Sequence, residues 1–192
     1  MIDRREALAL LASVPTAAAF SITAREVESA HRAVQKAAGG YAPTFFDRHE
    51  YETVRLLVDL LIPGDERSGS ATDAGVPEFI DFMMTDEPER QIAMRGGLAW
   101  LDNECRDRFG TSFVEASAVE RTSLLDEIAW PERASPGLSH GVGFFNAFRD
   151  LTATGFFTSK MGMEDLDYRG NVYVTEWTGC PPEALRKLGL DP

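Results

Sequence analysis

The sequence predicts an all-α fold: a compact helical domain with a long irregular C-terminal tail. Three observations predict it. Apolar residues recur at helical spacing along most of the chain. Helix-start signals (Asp47, Pro77, Pro88, Ser117) and stop signals (Gly39-Gly40, Pro63-Gly64, Gly110) bracket those stretches. No sustained period-two alternation, no Asn-Gly hairpin signal and no alternating strand–helix rhythm occurs. Tyr173-Val174-Thr175 could be extended, but one such piece makes no sheet. No repeat appears at a solenoid period.

The elements follow in order. The chain opens Met1-Ile2-Asp3-Arg4-Arg5-Glu6, then runs without charge from Ala7 to Ile22. That run is short for a membrane span, which needs about 20 apolar residues. A charged stretch before a short apolar one is signal-peptide architecture, and the adjacent Arg4-Arg5 makes residues 1–24 resemble a twin-arginine signal. Asp3 and Glu6 cancel the pair's charge, and Ala17-Ala18-Ala19 offers small residues for cleavage. The other reading is an ordinary Ala/Leu-rich helix packed on the domain.

Residues 25–192 form one domain. Ala24 to Ala38 is polar with a thin apolar face, so a surface or loosely packed helix is expected. Asp47 and Glu50 make a capping box for a helix carrying Tyr51, Val54, Leu57, Val58 and Leu61. Residues 63–75 are a loop of small and polar residues. Pro77 then sits in the first turn of a helix bearing Phe79, Ile80, Phe82, Met83 and Met84. Pro88 starts another, with Gln91, Met94, Leu98, Leu101, Cys105 and Phe109 on one face. Gly96-Gly97 inside it costs about 1 kcal/mol per glycine relative to Ala, which points to close approach of another backbone. Ser117 and Glu120 cap a helix with Leu124, Leu125 and Ile128. After the Pro131 to Gly137 loop, Ser139 to Ser159 carries Phe144, Phe145, Phe148, Leu151, Thr152, Gly155 and Phe156.

From about residue 160 the helical period is lost until Pro182 starts a short helix closed by Gly189. Leu166, Tyr168, Tyr173 and Trp177 keep this tail from being disordered by composition. It either wraps its own domain, as long ordered loops usually do, or lies in an interface, where Tyr and Trp are enriched.

Composition excludes several functions. The chain has 192 residues, which suits one domain. Its net charge is −12, and removing residues 1–24 leaves it unchanged, because Arg4 and Arg5 cancel Asp3 and Glu6. That balance argues against a nucleic-acid binder and against docking on an anionic membrane. Two cysteines build neither a disulfide scaffold nor an iron–sulfur site. Cys105 and Cys180 either pair, tying the tail to the helix after Pro88, or Cys105 is a core residue and Cys180 is free or bonded to a partner.

The search for chemistry finds mainly absences. His31, His49 and His140 lie in separate segments, and His49 reads as a solvated helix-start residue. There is no His-Glu-x-x-His, no Gly-x-Ser-x-Gly and no Gly-x-Gly-x-x-Gly after a strand. Asp165, Asp167 and Asn171 lack the spacing of a calcium loop. No catalytic, cofactor-binding or metal-binding residue is expected in this chain.

Resemblance supplies a direction. The run Glu50-Tyr51-Glu52-Thr53-Val54-Arg55-Leu56-Leu57-Val58-Asp59-Leu60-Leu61-Ile62-Pro63 precedes Asp73-Ala74-Gly75-Val76-Pro77-Glu78-Phe79-Ile80-Asp81. With the tail from Gly155-Phe156-Phe157 through Tyr168-Arg169-Gly170-Asn171 to Trp177-Thr178-Gly179-Cys180-Pro181, this resembles the gluconate 2-dehydrogenase subunit 3 family. The resemblance implies a small, non-catalytic helical subunit accompanying a large flavoprotein of the glucose–methanol–choline type. That partner would hold FAD and oxidise a sugar, sugar acid or glycoside; some complexes add a cytochrome subunit. It also implies a leader that exports the pair to the periplasm by the twin-arginine route. Within this reading Tyr168, Arg169, Asn171, Tyr173 and Trp177 are expected to contact the partner. A stand-alone enzyme using Asp165, Asp167 and Glu176, and a chaperone-like periplasmic protein, are the readings set against it.

Overall fold

The computed structural model describes residues 23–36, 41–168, 170, 173, 175–176 and 179–190. Residues 1–22, with Arg4 and Arg5 of the expected leader, and the Gly39-Gly40 stop lie outside the described residues. Among the described residues eight α-helices follow one another: α1 (Ala24–Lys36), α2 (Arg48–Leu61), α3 (Val76–Asp86), α4 (Gln91–Phe109), α5 (Ala118–Ala129), α6 (Ser139–Phe157), α7 (Lys160–Asp165) and α8 (Pro182–Lys187). Among the described residues there is no strand.

The local reasons match the sequence logic. Asp47 and Ser117 each accept the backbone N–H three residues on, while Glu50 and Glu120 reach back to the cap N–H. Gly75 takes a left-handed φ of 78° at the start of α3, and Gly110, at φ 77°, closes α4. The helix expected from Pro88 begins as one tight turn over Pro88–Arg90 and becomes α-helical at Gln91.

Helix α6 is the hub. It packs against α2, α3, α4, α5 and α7. Phe79, Leu57, Met83, Leu101, Leu124, Phe148, Leu151 and Phe156 are fully buried around it. Each such side chain contributes about 1.5–3 kcal/mol of burial. Helices α4 and α6 cross in a reciprocal way. The Phe144 ring of α6 lies on Gly97, where a Cβ would come within 1.9 Å of Cδ2. The Trp100 ring of α4 lies on Gly141, where a Cβ would come within 2.2 Å of Cη2. Gly97 therefore accepts an aromatic ring rather than another backbone, and Gly96 faces open space.

Helix α1 is better seated than its thin apolar face suggested. It packs along α3 with Ala30 fully buried. The His31 ring stacks on Phe79 at a centroid distance of 5.3 Å, and its Nε2 lies 2.8 Å from Thr158 Oγ1. Burial pulls the His31 imidazole below its ordinary pKa.

Two buried carboxylates organise the loops. Asp81, on α3, accepts from Tyr41 Oη at 2.6 Å and from the backbone N–H groups of Thr44, Phe45 and Phe46 at 2.8–3.0 Å. One side chain thus fixes the approach to α2. Asp102, on α4, accepts from the Phe113 N–H at 2.9 Å and from Arg106 at 3.1 Å, with His49 Nε2 at 2.6 Å. His49 is thereby tied to a buried acid rather than merely solvated. Burial, with Asp81 for Tyr41 and Glu78 for Tyr51, raises both tyrosine hydroxyl pKa values.

Candidate functional site

The end of α6 is where the body hands over to the tail. Ser159 breaks the helix and caps the next: its Oγ donates to Phe156 O at 2.6 Å and accepts the Gly162 N–H at 3.1 Å. Gly162 allows the tight return. A Cβ there would sit 2.1 Å from the Phe156 carbonyl oxygen. Helix α7 is thereby folded back on α6, with Met161 against the core and near Gly69. Arg67 anchors it to the 63–75 loop, donating to Asp165 O at 2.5 Å with the Asp165 carboxylate 3.4 Å away. Next, the Tyr168 N–H donates to Met163 O at 2.9 Å, after Asp167 turns at φ 50°.

Beyond that point apolar side chains face solvent. Tyr168 is 64% exposed and Tyr173 87% exposed, and Leu166 and Met163 beside them are exposed too. Gly170, Thr175, Glu176, Gly179 and Cys180 are likewise exposed. The described residues from Gly170 to Cys180 are therefore not packed on the domain, whereas the first part of the tail is: α7, a short helix where the sequence suggested loss of the helical period, folds back on α6. Arg169, Asn171 and Trp177, expected at the same surface, lie outside the described residues.

Both cysteines are free thiols. Cys105 is buried on α4 and Cys180 is exposed in the tail, so the structure holds the unpaired alternative rather than a Cys105–Cys180 bridge. Cys105 points into the helix core, and burial pushes its thiol up to about 11.

A second feature lies along α6. An apolar cleft of about 380 Å³ opens between α4 and α6, lined by Met84, Arg90, Met94, Gly96, Trp100 and Phe144, with His140 at its edge. Nothing in the sequence announced it except the unexplained glycine pair: Gly97 seats the ring that forms its wall, and Gly96 leaves its floor open.

The chemistry-bearing residues are dispersed. Asp165 is held by Arg67, Asp167 forms the turn after α7, and Glu176 is exposed in the tail. Among the described residues no group of three His, Cys, Asp or Glu side chains could hold a metal ion. Among them, too, no helix is long and apolar enough to cross a membrane. Asp81 and Asp102 were missed in the sequence, although Asp81 is the lone acid inside the apolar run Phe79-Ile80-Asp81-Phe82-Met83-Met84. Such an acid must find partners or remain costly.

Comparison with known proteins gives one match. The family model described as gluconate 2-dehydrogenase subunit 3 covers residues 48–176, from α2 to the exposed tail. No curated protein and no solved structure gives a significant match.

Proposed function

We infer the function from the premise that the chain belongs to the gluconate 2-dehydrogenase subunit 3 family. It is a small accessory subunit that binds and stabilises a large FAD-dependent dehydrogenase of the glucose–methanol–choline type. That partner oxidises a sugar, sugar acid or glycoside. The leader with Arg4-Arg5 takes the pair to the periplasm by the twin-arginine route. This chain supplies no catalytic group; FAD sits in the partner.

One observation carries the reading. Inside the family-matched span the body buries or half-buries its aromatic residues except Trp130 and Phe157, whereas in the tail Tyr168 and Tyr173 both face solvent, Tyr173 at 87% exposure. Amphipathic rings held at a surface are the usual anchors of an interface. Tyr168 and Tyr173, with Arg169, Asn171 and Trp177 beside them in sequence, are the proposed contacts.

Co-expression tests it. The large flavoprotein is produced with and without this chain, and soluble, FAD-loaded, exported protein is measured. The reading expects a several-fold loss of loaded enzyme without this chain. A flavoprotein that folds, loads FAD and is exported equally well alone contradicts it.

A further inference from the structure

We propose that the apolar cleft between α4 and α6 is the docking site of this chain's own N-terminal apolar segment, with Phe20 and Ile22 as the side chains that fill it. The inference does not rest on the flavoprotein reading.

The argument starts from where the described chain begins. Thr23 and Glu26 form the first turn of α1: the Thr23 N–H donates to Glu26 Oε2 at 2.6 Å, and the Glu26 N–H donates to Thr23 Oγ1 at 3.4 Å. Glu26 interacts electrostatically with Arg90. Arg90 lines the cleft. Helix α1 also packs along α3, whose Met84 forms another part of the cleft wall. Thr23, where the described chain begins, thus lies at the end of α1 that faces Arg90, a residue of the cleft lining. Three residues separate Phe20 from Thr23, a reach of about 10 Å when extended.

Size and chemistry agree. An apolar cavity of about 150 Å³ holds one benzene-sized group, so about 380 Å³ takes two large apolar side chains but no helix. Phe20 and Ile22 alternate with Ser21, which in an extended segment puts both on one face. Tethering supplies the rest. A segment attached this near meets the cleft at an effective concentration on the order of mM, which few free ligands match.

Thiol accessibility in the full chain tests this. Gly96 lies on the cleft floor and a Cβ there meets nothing within 4 Å, so Gly96→Cys fits the fold. Cys180→Ser removes the exposed native thiol, and Cys105 is buried. Thr122→Cys on the exposed face of α5 is the reference. With the first 22 residues confirmed intact by mass, maleimide should label Gly96→Cys at least about tenfold more slowly than Thr122→Cys. Adding Phe20→Ser and Ile22→Ser should restore the reference rate. Equal rates in the full chain overturn the proposal, because the cleft is then open. Protection that survives the double substitution overturns it too, because a second copy or a small apolar ligand then covers the cleft.

Discussion

Residues 62–75 and the described residues between Tyr168 and Pro181 are both irregular, and both stretches of sequence are rich in glycine and small polar residues. They end up in opposite situations. In the first, the Ala71 N–H donates to Ile62 O and the Thr72 N–H to Asp59. Asp65 accepts from the Arg67 and Ser68 N–H groups, and Asp73 from that of Ser70. The Asp65 hydrogen bonds to Ser68 and Arg67 hold its carboxyl below the usual range. In the second, the described residues from Gly170 to Cys180 are all exposed, Tyr173 among them. Irregular backbone is fixed to a helical body when nearby carboxylates take up its N–H groups. Where the described residues stay exposed, as in the tail, large apolar side chains such as Tyr173 are left for another surface.

Four changes break or sharpen that contrast. The largest effect is expected from Asp81→Ala, which strips four donors of the 41–46 segment of their acceptor in a buried site. Urea unfolding should show a loss of about 4 kcal/mol. An unchanged midpoint would mean that packing alone orders that segment. Gly162→Ala acts at the junction of the two regions. Its Cβ meets a backbone carbonyl, so a loss of about 2 kcal/mol is expected, with faster proteolysis after α7.

The two thiols give the contrast a pH dependence. Folded Cys105 keeps its proton up to about 11, whereas an unfolded thiol ionises from about 8.5. Stability from this group is therefore complete below about pH 8.5 and is lost as pH rises through 11. The fall from this group should reach ~3 kcal/mol, read from urea midpoints between pH 8 and 11, and Cys105→Ala should remove that share of it. Tyr41 and Tyr51, also raised by burial, act with the same sign at the alkaline end. Exposed Cys180 should react with a thiol reagent in the native state while Cys105 waits for unfolding. The smallest stability effect belongs to Tyr168→Ala with Tyr173→Ala. Both side chains are exposed, so unfolding should shift by no more than about 0.5 kcal/mol, while complex formation with the large subunit weakens at least tenfold.

The helical body was largely legible in the sequence because its signals are local. Asp47 and Ser117 cap where their spacing to Glu50 and Glu120 says, and Tyr51 to Leu61 and Phe144 to Phe156 carry their stripes. What was missed depends on contacts between distant segments. The Asp81 clamp joins residues some 35–40 apart in sequence, His49 reaches Asp102, and Gly97 seats a ring from α6. Helix periodicity carries no record of such pairings. The firm seating of α1 was hidden for the same reason, since His31 finds Phe79 and Thr158 only once α3 and α6 are in place. In the tail, composition named Tyr168 and Tyr173 as residues needing a surface but did not say whose.

Backbone hydrogen exchange of the full chain, alone and with the large flavoprotein subunit, tests the central claim most directly. The account predicts that amides of 62–75 are protected in both states, and that amides of 168–180 exchange freely alone but become protected in the complex. Tail amides equally protected without the partner, or still unprotected in a formed complex, would contradict it.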